Sequence, residues 1–269
     1  MQNILLLFAR FGSHITFIFF IFISFFLIVN FNQSQRSIFI NSSNYYANKL
    51  DSKTSKWQSY LSLQEVNDSL AQHNASLMEK FINTEVAIPE ISDTTLQFEV
   101  IPTNVIRSTF NLRNNHMTLD AGARDGIQKD MGVIAENGLL GIVRDVSEKY
   151  AHVISVLNSQ SRISCSVKPH AYPGNLVWKN LESKFMNLES IPKHVNIAIG
   201  DSVITNGYST IFPPNIFVGT IASFQVERGS SNYNIKVKLA NDIPNTKVAY
   251  IIKNNFAEEQ KTLEQIENE

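Results

Sequence analysis

The sequence predicts a mainly β protein in which an N-terminal transmembrane helix and a coiled-coil stalk lead into two small six-stranded β-barrel domains. Three observations predict it. An uninterrupted apolar run stands near the amino terminus, and a long stretch without Gly or Pro follows at a short distance. From Leu96 onward, short β-branched and aromatic runs alternate with turn signals roughly every 8–12 residues. With 269 residues, 43% of them hydrophobic, the chain has material for real cores. A formal net charge of −1 supplies no basic field, which argues against nucleic acid as a partner.

Residues 11–31 form the expected anchor, reading ITFIFFIFISFFLIVNF from Ile15 to Phe31 with no charge inside it. Adding Phe11 to His14 reaches the roughly 20 residues that span a bilayer as a helix. A cleaved signal peptide needs a shorter apolar core and small residues at the cleavage site, which Asn30-Phe31-Asn32-Gln33-Ser34 does not supply. The expectation is therefore a retained, single-pass anchor. Arg10 on one side and Arg36 on the other lean toward an N-terminus, residues 1–10, in the cytoplasm. Four Asn-x-Ser sequons, at Asn32, Asn41, Asn67 and Asn74, are chance matches in a stretch rich in Asn and Ser.

Residues 38–84 are expected to form a helical stalk, with Ser42-Ser43-Asn44 able to cap it. Leu50 and Trp57 lie seven apart, then Leu63, Val66, Leu70, Leu77 and Phe81 follow three-four spacing, with His73 the polar seam position. The two runs are offset near Leu61. Such a sparse seam predicts a weak dimer that other parts of the protein assist; the alternative is a solvated helix folding back on the body.

Pro89 and Pro102 bracket the change from helical to strand periodicity. Asn137-Gly138 between two apolar runs predicts a hairpin with a type I′ turn, and Asp125-Gly126 predicts another turn. Further strands are expected at Val105–Asn111, His152–Leu157, Ile163–Val167, Leu176–Trp178, Ser202–Thr205, Ile216–Val226, Tyr233–Leu239 and Val248–Ile252. So many short strands favour two closed barrels over one sandwich, because closure removes edges. Residues 254–269 read as an acidic tail or frayed helix.

Two segments, MTLDAGARDGIQKDMGVIAENGLLGIVRDVSEKYAHVISVLN from Met117 and IAIGDSVITNGYSTIFPPNIFVGTI from Ile197, resemble the MreC family of bacterial rod-shape-determining proteins. In the first, the likeness rests on Gly122, Asp125-Gly126, Met131, Val133, Gly138-Leu139, Gly141 and Val143. In the second it rests on Gly200-Asp201, Val203, Thr205, Gly207, Phe212-Pro213 and Val218-Gly219. Asn206 stands where Ser is usual, Pro214 follows Pro213, and the stalk is poorer in Leu and Glu than in many relatives.

The resemblance implies a scaffold of the cell-elongation machinery in the inner membrane, with most of the chain in the periplasm. It implies a homodimer or filament, contact with an MreD-like membrane protein and a class B penicillin-binding transpeptidase, and through them a link between MreB filaments and peptidoglycan synthesis. It also implies a discontinuous first barrel, residues 96–158 with 233–253, around a second barrel at 159–226. No cofactor or metal is implied.

The motif residues also have a direct physical reading. Gly122, Gly126, Gly138 and Gly207 are expected at turns with positive φ, while Gly141 and Gly219 lie inside strand patterns and predict a bulge or close backbone approach. Gly200, Asp201 and Pro213 complete the set of structural turns. Pro213-Pro214 removes two backbone donors in succession, so this segment is expected outside a sheet interior. With Tyr208 it presents Ile211 and Phe212 either as an apolar patch for a partner or, for Phe212, as a plug at a barrel end.

Chemistry finds little support. Gly200-Asp201-Ser202 resembles the nucleophile turn of trypsin-like proteases, whose architecture is also two barrels, but Val203 follows where the oxyanion hole needs glycine. His152 or His170 would have to complete a triad, and nothing recommends either. The histidines His14, His73, His116, His152, His170 and His194 show no ligand spacing, and the lone Cys165 reads as a small buried strand residue. A different class of function, a periplasmic adaptor of an efflux or secretion system, requires a helical hairpin interrupting a β domain. Here one helical stretch precedes all the strands.

Overall fold

A computed structural model of the protein describes residues 2–31, 62–84, 96–169, 172–179, 182–226 and 229–266. The chain divides into two compact units, Met1–Asn67 and Asp68–Glu269. The first contains helix α1, Gln2–Phe31, which carries the apolar run and continues through the expected cytoplasmic segment. Side chains of α1 are described for residues 12–28, and among the described residues no helix is long and apolar enough to cross a membrane. Helix α2 covers 62–84; the upstream part of the expected stalk, with Leu50 and Trp57, lies outside the described residues, as do Pro89 and His170.

Two closed barrels make up the body. The first takes β1 (Phe98–Ser108), β2 (Asn114–Leu119), β3 (Gly132–Ala135), β4 (Gly138–Val146), β5 (Ala151–Asn158) and β12 (Val248–Asn254), in the order β1-β12-β3-β4-β5-β2. The second takes β6 (Arg162–Val167), β7 (Pro173–Val177), β8 (Phe185–Glu189), β9 (Ser202–Thr205), β10 (Phe217–Val226) and β11 (Tyr233–Leu239), in the order β10-β11-β8-β7-β6-β9. All pairings are antiparallel. Alternate residues fill the interiors: Met117, Leu119, Val133, Val153 and Ile251 in the first barrel, Cys165, Leu176, Leu188, Val203 and Val237 in the second. A short helix α3, Ala257–Ile266, follows β12.

Several expectations are corrected. Tyr233–Leu239 does not return to the first barrel; β11 pairs with β10 and β8 and closes the second, so only β12 returns. The resemblance implies that a C-terminal part of the chain returns to the first barrel, and periodicity, which identifies a strand but not its neighbour, does not place the boundary. The hairpin at Asn137-Gly138 forms with a one-residue shift, since Ala135 pairs with Gly138 and the turn is Glu136-Asn137. Only Gly138 of that dipeptide has positive φ, so the turn is not type I′. Strands β2 and β8 were not anticipated.

Strand β2 escaped notice because a polar residue takes an inward position. Asn115 is fully buried, yet its amide donates to the carbonyls of Leu112 (2.8 Å) and Leu157 (2.6 Å) and accepts from Leu112 N–H (3.0 Å). Asn158, also fully buried, donates to Asn115 O at 3.0 Å. With partners at every step, this network fixes the β1–β2 connection against β5.

One side of β1 would be open without α2. Residues 98–104 pair with β12, but pairing with β2 begins only at Val105, leaving the first half of β1 with an unpaired edge. Asn83 covers it by donating to Phe98 O (2.8 Å) and accepting from Phe98 N–H (3.0 Å), as a neighbouring strand would. A carboxylate oxygen of Glu79 accepts from Val100 N–H at 3.1 Å. Ala75 and Ile82, both buried, supply the apolar part of the contact.

The barrels meet through Phe212. Its ring occupies the space that a side chain at Gly132 would need, since a Cβ there would lie 2.6 Å from the ring. Asn241, nearly buried, donates to Leu139 O at 3.1 Å across the same junction, and Asn254 donates to Thr210 O at 3.1 Å.

Two outcomes follow. Asn83→Ala leaves both backbone groups of Phe98 without partners and should lower stability by about 1–3 kcal/mol, read by chemical denaturation, with amide exchange rising first in α2. Phe212→Ala should lower stability by about 3–5 kcal/mol through the cavity it opens between the barrels, whereas Tyr208→Ala should stay within about 0.5 kcal/mol of the parent because its ring packs on little.

Candidate interaction surfaces

The expected partner residues separate in the structure. Tyr208 is 70% exposed, Ile211 is half-buried, and Phe212 is 3% exposed. Phe212 therefore takes the plug position and not the open patch, and Tyr208 alone faces solvent fully. The loop that carries them is pinned from within by Thr205. Its hydroxyl donates to Pro213 O at 2.6 Å and accepts from Ile216 N–H at 2.9 Å. Asn206 donates to Ser164 Oγ at 2.8 Å and accepts from Tyr208 N–H at 3.2 Å. Gly207 is in the left-handed region (φ 73°), where a side chain would be strained.

The other motif residues are architectural. Asp125 accepts from Gly122 N–H at 2.9 Å and Asp201 accepts from Ala198 N–H at 2.8 Å, so each aspartate closes a turn on the residue three before it. Gly126 and Gly200 take positive φ in those turns, whereas Gly122 is extended and is required for space instead: a Cβ would press on Ser147 O and the Lys149 carbonyl carbon. Gly141 and Gly219 sit where β4 approaches Ile154 O and β10 approaches Lys238 O. Ser202 opens β9 as a strand residue opposite Thr220, with its carbonyl accepting from Lys168 N–H at 2.9 Å.

Helix α2 carries two apolar stripes. One docks on β1. The other, Leu63, Val66, Leu70, Leu77 and Phe81, is exposed throughout, each side chain at least 52% open. Leu77 and Phe81 also wall a groove of about 620 Å³, with Ile134 to Gly138 from the β3–β4 hairpin and Ile216 and Phe217 from the second barrel. Sequence reading missed this groove because its walls come from three elements far apart in the chain. The exposed Phe217 was a faint signal, an outward aromatic in an alternating strand.

Cys165 is fully buried on β6, and burial pushes its thiol up to about 12, which leaves it unreactive. Among the described residues no group of three or more His, Cys, Asp and Glu is placed to hold a metal ion. Two histidines that the sequence leaves scattered, His116 and His152, come together on the first barrel.

Comparisons with known proteins agree with this architecture. The family model described as rod shape-determining protein MreC, barrel core, matches residues 105–253. The cell shape-determining protein MreC of Listeria monocytogenes is 28% identical over 143 residues, 52% of this chain and 48% of that protein. The protein of the same name from Cereibacter sphaeroides is 32% identical over 124 residues, 46% of this chain and 39% of that one. The chain thus matches about half the length or less of these curated relatives.

Among solved structures, MreC of Listeria monocytogenes superimposes with a TM-score of 0.56 at 23% identity, covering 71% of this chain and 94% of that one. MreC of Pseudomonas aeruginosa gives 0.54 at 18% identity, covering 57% and 98%. These structural likenesses carry the fold, two closed barrels in the same arrangement. Because the family model spans more than half of the 269 residues, the protein belongs to the MreC family of rod shape-determining proteins.

Proposed function

We propose that the protein is a membrane-anchored, non-catalytic scaffold of the cell-elongation machinery, which maintains cell shape by holding partner proteins of peptidoglycan synthesis together. The observation that carries this reading is the exposed stripe of α2. Five large exposed apolar side chains on one helix face are a costly surface for a monomer and a natural seam for a second copy.

Anchoring rests on α1. The charge-free stretch Phe11–Phe31 is 21 residues, about 32 Å as a helix, against a hydrocarbon core of about 30 Å. Phe17 and Phe22 are each more than 60% exposed, and lipid is the medium suited to such a surface. The N-terminus is then cytoplasmic and the barrels periplasmic.

Family membership supports the partners: an MreD-like membrane protein, a class B penicillin-binding transpeptidase and, indirectly, MreB filaments. Tyr208 and the groove at Leu77, Phe81 and Phe217 are the surfaces offered to them.

The test uses the full chain in lipid nanodiscs or mild detergent. Val66→Asp with Leu70→Asp should convert a dimer to a monomer by light scattering while leaving the melting temperature of the barrels unchanged, since both side chains are more than half exposed and neither lines the groove. A double variant as self-associated as the parent refutes the seam. Photo-crosslinking in cells from position 208 should capture the transpeptidase; capture of efflux or secretion components would overturn the assignment.

A further inference from the structure

Strands β2 and β5 are paired antiparallel, with His116 opposite Ile154 and His152 opposite Thr118. The two histidines are diagonal neighbours on one outward face. Their rings stack, with centroids 4.7 Å apart and planes 28° from parallel. The two rings differ in surroundings. His152 has a half-open side chain, and its Nδ1 lies 4.0 Å from an Asp145 carboxylate oxygen. His116 Nδ1 is shut off from solvent, and no hydrogen-bond partner reaches it.

Charged groups on the same face come from every neighbouring element. Strand β4 supplies Arg144 and Asp145, the latter directly opposite His152. The segment before β3 supplies Lys129, which donates to Asp145 at 3.0 Å. Strand β1 supplies Arg107, opposite Thr118. Arg144 reaches Gln160 at 3.5 Å, and neither arginine joins an ion pair among the described residues. The single acid is engaged: the Lys129 hydrogen bond comes first among the causes that hold Asp145 below the usual carboxylate range, so it stays charged.

A neutral His116 fits this site, with its proton on Nε2 and a bare Nδ1 inside. Protonating Nδ1 creates a buried donor with no acceptor and sets a charge against the second ring and Arg144. We propose that the His116–His152 stack is a proton-operated latch on the first barrel, closed while His116 is neutral and opened by mild acid, when His116 turns outward to hydrate its new N–H. Opening adds positive charge to a face that already carries Arg107, Arg144 and Lys129 against one aspartate.

The latch reaches the β1–β2 connection through the backbone. His116 N–H donates to Thr109 Oγ1 at 2.9 Å, Thr109 N–H donates to His116 O at 2.9 Å, and the next residue back is the buried Asn115. That connection displays Phe110 and Leu112, both exposed. Acid therefore loosens the segment that presents them. Burial, then His152, then Arg144 hold His116 below the ordinary histidine value near 6.5. Its folded value lies below its unfolded one, so its stabilisation is complete above about pH 6.5 and is lost as pH falls through that point toward the folded value.

The inference does not depend on self-association or on anchoring, and the full chain in detergent micelles with ring-labelled histidine tests it by NMR titration and amide exchange. His116 should titrate below an ordinary histidine, and His152→Asn should move it up. Amides across 109–118 should lose protection in acid relative to the second barrel, and His116→Phe, which keeps a stacked ring but takes no proton, should abolish that loss. An ordinary titration unmoved by His152→Asn, or the same acid-dependent exchange in His116→Phe, would overturn the latch.

Discussion

The body of the protein depends on one long-range pairing, the insertion of β12 between β1 and β3. Its register runs from Phe98 opposite Asn254 to Asn104 opposite Val248, and Lys253 bonds Glu99 across 154 residues of sequence. Without β12 the first barrel has two open edges, and the second barrel is joined to it on one side only. With it, the chain crosses between the barrels after β5 and again after β11, and the buried contacts of Phe212 and Asn241 hold them at a fixed angle. The scaffold role proposed for the protein calls for such rigidity.

Helix α2 illustrates how one element serves two neighbours. Its polar residues Glu79 and Asn83 substitute for a missing strand on β1, and small residues such as Ala75 let it lie close. The stripe of larger residues points elsewhere. A helix that used all its apolar side chains to fold back on the body would have buried Leu70 and Phe81; this one leaves them out. One face of the helix packs on the body, and the other carries the exposed stripe for which a seam is proposed.

Strand content was readable where side-chain chemistry follows burial. The apolar runs around Val133 and Leu140 announced a hairpin, and the alternation Ile163, Cys165, Val167 announced β6 with a buried thiol. It was unreadable where polar groups are buried and satisfied, as at Asn115, because composition cannot show the carbonyls that await them. Partner choice among strands was also hidden, so β11 was placed in the wrong barrel. Glycine roles were legible as a class, but Gly122 is there for room and not for its dihedral angles, a distinction that only the neighbouring Ser147 and Lys149 backbone reveals. His116 and His152 met because two strands align, which no spacing along the chain records.

The position of β12 sets the order in which the molecule can assemble. The second barrel is contiguous, so its strands can close as soon as they are all present, whereas the first must keep a gap through the emergence of roughly a hundred further residues. During that interval β1 and β3 offer hydrogen-bonding edges to any passing chain. In a chain made from its N-terminus, the early half waits unsealed for its last strand, which is the cost of locking two barrels together with the chain itself.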